Sequence, residues 1–287
     1  MEVRTLPLQL LVFSIAFTSQ CGKGFFILGN ATAKQAPPLL HLFKYAIFEF
    51  KMAQKKLFRF GQIKTFKNVL EYPENIKGNW HNFFGNKNPI ALELACGRGE
   101  YTIGLAEMHA NKNFIGIDIK GNRMYIGAKK ALQNNLSNAA FLRTQIEMLD
   151  NYFSPGEVDD IWITFPDPQL RTSKAKKRLT HPRFLRLYQK LLKPGGSIHL
   201  KTDSPQLYTF TLLVIEKYGL QLLKKSGNVY AVKHPPELAI KTFYENLDIA
   251  QSKKIHYLQF CLPKTISHID NELQEILKQT ENNATVT

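Results

Sequence analysis

Apolar and polar positions follow two alternating periods from about residue 88 onward. Pro89 to Leu94 is a short apolar run entering Cys96-Gly97-Arg98-Gly99, and Tyr101 to Ala110 carries apolar residues at helical spacing. Asn113 to Asp118, Ala139 to Arg143, Asp160 to Phe165 and Ser197 to Lys201 read as further strands, with a helix from Arg123 to Gln133 between the first two. Pro182 to Leu192 reads as a helix with proline at its first position and a stop at Lys193-Pro194-Gly195-Gly196. Ser204-Pro205 caps another helix that runs to Tyr218 and stops at Gly219. Leu220 to Leu223 and Ile255 to Cys261 read as closing strands. Strands separated by helices of this length predict an α/β domain with a mainly parallel, seven-stranded sheet and helices on both faces. Ligands of such sheets bind beyond the carboxyl ends of the strands, which is where the polar motifs fall.

This pattern assigns residues 88–265 to one catalytic domain. Residues 52–87 read as a basic N-terminal arm, and 266–287 as a C-terminal tail that after Ser267 ends in a polar, frayed stretch. Residues 1–51 differ from the rest. Leu6 to Phe17 is apolar, with Arg4 before it and Ser19-Gln20-Cys21 after, a faint signal-peptide pattern. It is short for a membrane span, and Gln20 stands where a lipoprotein cleavage site needs a small residue. Met52-Ala53-Gln54-Lys55-Lys56 reads like the start of a cytosolic protein, so residues 1–51 are expected to lie outside the catalytic fold.

Charge adds a partner. The 287 residues hold 38 Lys and Arg against 23 Asp and Glu, a net +15, which favours nucleic acid ahead of an anionic membrane. Three well-separated cysteines, Cys21, Cys96 and Cys261, favour a reducing, cytoplasmic setting over a disulfide framework. No Cys or His pair has zinc-ligand spacing, so no metal is expected. A monomer and a homodimer both remain open.

The first strand and turn read Leu92-Glu93-Leu94-Ala95-Cys96-Gly97-Arg98-Gly99-Glu100. Glycines at a strand-to-helix turn let a ligand approach the main chain, in dinucleotide binders as well. Extra carboxylates there would repel a pyrophosphate but favour the ammonium and sulfonium of S-adenosylmethionine, whose amino-acid part Glu93 is placed to meet. Asp118 closes the second strand 21 residues after Gly97, where an acid can accept hydrogen bonds from both ribose hydroxyls or cap the helix that follows. Gln145, after the third strand, stands where such enzymes hold an Asp or Asn against the adenine amino group.

After the fourth strand comes Phe165-Pro166-Asp167-Pro168-Gln169-Leu170-Arg171, then Lys174-Ala175-Lys176-Lys177-Arg178-Leu179. With His199-Leu200-Lys201-Thr202-Asp203 at the fifth strand and Thr242-Phe243-Tyr244-Glu245 later, the chain resembles the bacterial tRNA (guanine-N7)-methyltransferases of the TrmB type from about Phe58 to Leu262. The resemblance implies a Rossmann-like S-adenosylmethionine-dependent methyltransferase fold, with tRNA as partner and N7 of a guanine in the variable loop as target. It implies that Asp167 contacts cofactor and substrate as the catalytic carboxylate, and that Glu93, Gly97, Gly99, Asp118 and Gln145 hold the cofactor. Arg171, Asp203 and the segment Thr242, Phe243, Tyr244 and Glu245 would hold the nucleotide, with the carboxylates reading its N1–H and amine. The chemistry agrees, because N7 bears an in-plane lone pair and no proton, so transfer needs no general base. Between Arg171 and Lys193 nine residues are basic and none acidic, a block expected to bind phosphates beside the loop, with Lys51, Lys55, Lys56, Arg59, Lys64 and Lys67 as a second basic arm.

Gln169-Leu170 stands where the family has Trp-Pro, and Ala95 replaces its first glycine. Those departures leave room for a methyltransferase-fold RNA-binding module without activity, or for a target on another RNA atom. Amino-methylating enzymes, however, favour an Asn/Asp-Pro-Pro-aromatic loop, and cytosine-C5 enzymes need a catalytic cysteine that neither Cys96 nor Cys261 is placed to supply.

Overall fold

The central strands are continuous apolar runs because both of their faces are covered, the pattern of a parallel sheet under helices. In this computed structural model, residues 54–247, 251 and 253–285 are described, and they belong to a unit spanning Ala53–Thr287. The expectation for residues 1–51 lies outside the described residues. Helix α1, residues 54–63, is followed by β1 (Val69–Glu71), α2 (Trp80–Phe84), β2 (Ile90–Leu94), α3 (Glu100–Met108), β3 (Asn113–Asp118), α4 (Gly121–Gln133) and β4 (Ala139–Arg143). Then come β5 (Val158–Thr164), α5 (Pro182–Leu191), β6 (Leu192–Thr202), α6 (Pro205–Lys217), β7 (Gln221–Ser226), β8 (His256–Cys261) and α7 (Asp270–Thr285).

The sheet order is β1-β4-β3-β2-β5-β6-β8-β7. Pairings from β1 through β6 are parallel, and β8 runs antiparallel between β6 and β7. The sheet is thus mainly parallel, as expected, but mixed and eight-stranded rather than seven-stranded. The added strand is β1, three half-buried residues in a lysine-rich stretch too short to show a period. The fold therefore begins well before residue 88: β1 pairs with β4, and Trp80 is fully buried, stacked on Phe153 at 5.2 Å.

Two cores lie on the two faces. Leu92, Leu94, Ile161, Ile163, Ile198 and Leu200 pack with Leu185 and Tyr188 of α5 and Val214 of α6. On the other face Ala91, Phe114, Phe141 and Trp162 meet Tyr101 and Leu105 of α3 and Met124 and Ala128 of α4. Most of the tail is the helix α7. Ile266 and Leu273 are buried in the first core, and Asp270 accepts from Arg186 of α5 and from the Tyr218 hydroxyl. Few apolar positions in α7 carried that packing, so composition alone read it as polar. No helix among the described residues is long and apolar enough to cross a membrane.

The predicted Ser204 cap forms, and His181 caps α5 as well. Ser204 Oγ accepts from the Leu207 N–H at 3.2 Å, and His181 Nδ1 accepts from the Arg183 N–H at 3.2 Å, each ahead of a proline at the helix start. Burial pushes the His181 imidazole down to about 4 from the ordinary 6.5. A histidine depressed in the folded state takes its proton first in the unfolded chain, so stability falls as pH drops from 6.5 toward 4. Glu93, whose carboxyl burial pushes up to about 7, acts in the opposite sense, so the test compares two proteins. His181→Asn keeps an N-cap acceptor and removes the titration. Urea unfolding at pH 7 and pH 5 is expected to show the wild type losing about 1–2 kcal/mol more than His181→Asn over that interval. Equal losses would place the His181 proton elsewhere.

Candidate active site

At the carboxyl ends of β2, β3, β5 and β6 lies a cleft of about 730 Å³, walled by Ala95, Gly97, Asp118, Asp167, Asp203 and Tyr244 among others. Its floor is the turn after β2. Ala95, Gly97 and Gly99 all have left-handed backbone, at φ 57°, 56° and 72°. Ala95 thus adopts the conformation that the family's glycine would take freely, at a cost of about 1 kcal/mol. The two glycines have different reasons. A Cβ on Gly97 would meet Tyr244 Cε2 at 3.2 Å in the cleft wall, whereas one on Gly99 would strike the Phe141 ring at 2.5 Å behind it. Gly99 serves helix–sheet packing.

Asp118 is oriented by this turn. Its Oδ2 accepts from the Gly97 N–H at 2.9 Å and its Oδ1 from the Lys120 N–H at 2.8 Å. Each oxygen keeps a lone pair for a further donor. The bond to Lys120, the N-cap residue of α4, also ties Asp118 to the start of that helix, so the two roles coexist.

Glu93 is placed differently from expectation. It is buried and does not line the cleft. Its carboxylate accepts from the Thr102 N–H at 2.7 Å, the Thr102 hydroxyl at 2.5 Å and the Thr164 hydroxyl at 2.8 Å. It braces the end of β2 to the first turn of α3 and to the end of β5. Gln145 is also outside the cleft wall, exposed just ahead of the short 3₁₀ helix Ile146–Asn151. Lys120 and Arg123 of the β3–α4 region line the cleft instead.

The loop after β5 places Asp167 at the cleft, exposed, with Oδ1 accepting from the Gln169 N–H at 3.0 Å. Arg171 is exposed at the loop's end and does not line the cleft; Leu170, 60% exposed, does. The basic block does not act as one surface. Arg178 is buried, donating to the carbonyl oxygens of Pro168, Gln169 and Leu170 over the Phe210 ring. Arg183, Arg186, Lys190 and Lys193 pair with Glu147, Asp270, Asp150 and Asp159. Arg171, Lys174, Lys176 and Lys177 are exposed beside the loop.

Asp203 lines the cleft at the end of β6. The Thr242–Glu245 segment reaches it only through Tyr244. Thr242 is buried, its hydroxyl accepting from the Glu245 N–H at 3.1 Å, and Phe243 lies under the Arg98 guanidinium at 3.5 Å. Glu245 points away, paired with Lys201 at 3.0 Å and accepting from the Tyr230 hydroxyl. Sequence reasoning counted Arg178 in the phosphate-binding block and did not single out Lys201 or Tyr230. A lysine inside the strand-end motif His199–Asp203 was the available signal for Lys201.

Comparison with known proteins agrees with this geometry. A family model described as "Putative methyltransferase" matches residues 87–258. A tRNA (guanine-N(7)-)-methyltransferase of Porphyromonas gingivalis is 49% identical over 213 residues, 70% of this chain and 86% of that protein. One of Bacteroides thetaiotaomicron is 46% identical over 223 residues, 74% of this chain and 88% of its own. Among solved structures, the 16S rRNA methyltransferase KamB superposes with a TM-score of 0.50 at 15% identity, covering 65% of this chain and 94% of that one, a likeness of fold. With nearly half of its residues identical to those relatives across more than two thirds of its length, the chain belongs to the tRNA (guanine-N7)-methyltransferase family.

Proposed function

We propose that this chain transfers the methyl group of S-adenosyl-L-methionine to N7 of a guanine in tRNA, in the variable loop. The observation that carries the reading is the alignment of three carboxylates, Asp118, Asp167 and Asp203, along one cleft above a left-handed turn, with exposed cations beside it. The cleft's 730 Å³ lies in the range of small-molecule sites and leaves room for a base beside the cofactor. The residues present fit that cofactor: Asp118 holds free lone pairs for ribose hydroxyls, and the Gly97 backbone lets a ligand approach. Bound there, S-adenosylmethionine supplies a methyl group on a cationic sulfur.

The chain's own residues then position and stabilise. The N7 lone pair forms the new N–C bond as the S–C bond breaks, and no proton moves, so no base or covalent nucleophile is required. Positive charge passes onto the purine, and the Asp167 carboxylate, fixed by its bond from Gln169, stabilises it at the cofactor edge. Asp203 accepts from the guanine N1–H and amine. Arg171, Lys174, Lys176 and Lys177 take the flanking phosphates, Arg171 with a fork suited to them.

Asp167→Ala is expected to lower kcat by about 100- to 1000-fold while cofactor affinity, measured by calorimetry, changes less than 10-fold. Nucleoside mass spectrometry of tRNA methylated by the wild type should show 7-methylguanosine; a methyl on any other atom overturns the reading. Replacing Lys174, Lys176 and Lys177 together by alanine should weaken tRNA binding and flatten the slope of log affinity against log salt by about 2–3. An unchanged slope would remove these lysines from the RNA interface.

A further inference from the structure

Lys201 is a charged side chain with no solvent exposure at the carboxyl end of β6. Its ammonium donates to the carbonyl oxygens of Leu238 and Ile240, both at 2.9 Å, and to Glu245 Oε2 at 3.0 Å, with the Tyr230 hydroxyl at 3.3 Å. The rings of Tyr101, Phe165 and Tyr230 surround it at 5.3–5.5 Å. The other Glu245 oxygen accepts from the Tyr230 hydroxyl. Among the described residues every acceptor of this cation lies in the run 230–245, which forms no strand. This buried cation ties the run to the end of the sheet at Tyr230, Leu238, Ile240 and Glu245, while the Glu237–His109 pair at 2.9 Å and buried Leu238 hold it against α3 and the second core.

What the run presents is narrow. Thr242 is buried and caps the Glu245 N–H, Phe243 stacks on Arg98, and the Glu245 side chain is 5% exposed against Lys201. Tyr244 alone of the four lines the cleft, seated on Gly97. Turning Glu245 toward a base would leave the Lys201 ammonium buried without its counter-charge, a heavily penalised state. Glu93, the other carboxylate near Tyr101, is occupied by Thr102 and Thr164 and offers no replacement.

We propose that Glu245 anchors the run 230–245 instead of reading the guanine, that Lys201 is the positioning residue through which it acts, and that Tyr244 is the group this run presents to the purine. The inference rests on the guanine-N7 reading for its substrate, and on the Lys201–Glu245–Tyr230 cluster for its geometry.

The test uses the full chain with unmodified tRNA, S-adenosylmethionine, and hydrogen exchange on the ligand-free protein. Lys201→Met and Glu245→Ala should each raise KM for tRNA at least 10-fold and speed amide exchange across 230–245 alike. The double variant should be no worse than either single one, because both break one contact. Lys201→Arg should restore part of the loss. Tyr244→Ala should raise KM for tRNA with exchange in the run unchanged. Multiplying effects in the double variant, or a raised KM in Glu245→Ala without faster exchange, would overturn the anchor and make Glu245 a direct reader. A KM within twofold of wild type for Tyr244→Ala would overturn the role of Tyr244. If Lys201→Met fails to fold, Tyr230→Phe removes one bond to Glu245 and keeps the ring; it should speed exchange in the run, and no change there overturns the proposal. Exchange needs no catalysis, so it decides the anchor even where product analysis puts the methyl off N7.

Discussion

A carboxylate buried under the turn after β2 is the constraint on which the cleft depends. Glu93 lies inside the sheet's end, where an ionised group survives only with its oxygens fully engaged. Thr102 supplies two donors and Thr164 a third, and even so burial pushes the carboxyl up to about 7. Those bonds fix the first turn of α3 and the end of β5 relative to β2. The turn between them must then close in few residues, which is why three of its positions take left-handed backbone. That closure aims the Gly97 N–H at Asp118, so the carboxylate that faces the cleft is held indirectly by one that never reaches it.

Lys201 is the opposite charge at the neighbouring strand end. Tyr101 stands between the two systems, its ring against the Lys201 ammonium and its hydroxyl buried. Glu93 sets the turn under the cofactor side, while Lys201 sets the run that supplies the substrate-side wall. The two meet where Tyr244 packs on Gly97. A displacement of either buried charge therefore changes the same contact, which ties the shape of one half of the cleft to the other.

Much of this was legible in residue order, and the remainder was hidden for identifiable reasons. The strands from β2 through β6 and their helices announce themselves because both cores impose a period. Asp118, Asp167 and Asp203 were legible because each stands at or just beyond the end of a strand on the sheet's binding edge. Glu93 was legible as important but not as a brace, since a carboxylate's direction depends on Thr102 and Thr164, which carry no motif. Gln145 fits its expected position along the chain yet is exposed just ahead of a 3₁₀ helix that only the backbone path after β4 decides. The basic block from Arg171 to Lys193 shows the same gap: charge sign is written in the sequence, but partners such as Asp270 and Asp159 come from distant elements. β1 and α7 owe their places to contacts across the chain, not to local pattern.

The loop departures can be read in the same terms. Gln169-Leu170 replaces a rigid aromatic–proline pair, which would be expected to loosen Asp167. Yet Arg178 holds the loop through the carbonyl oxygens of residues 168, 169 and 170, groups that every amino acid carries. The guanidinium is itself fixed by burial and by the Phe210 ring at 4.4 Å. A clamp on the main chain makes the conformation at 169 and 170 insensitive to which side chains stand there. Gln169 still bears a left-handed φ of 47°, so some strain remains, but its N–H is the donor that fixes Asp167. Side-chain freedom at 169 and 170 is thus compatible with a fixed carboxylate at 167, because the two are held by different atoms.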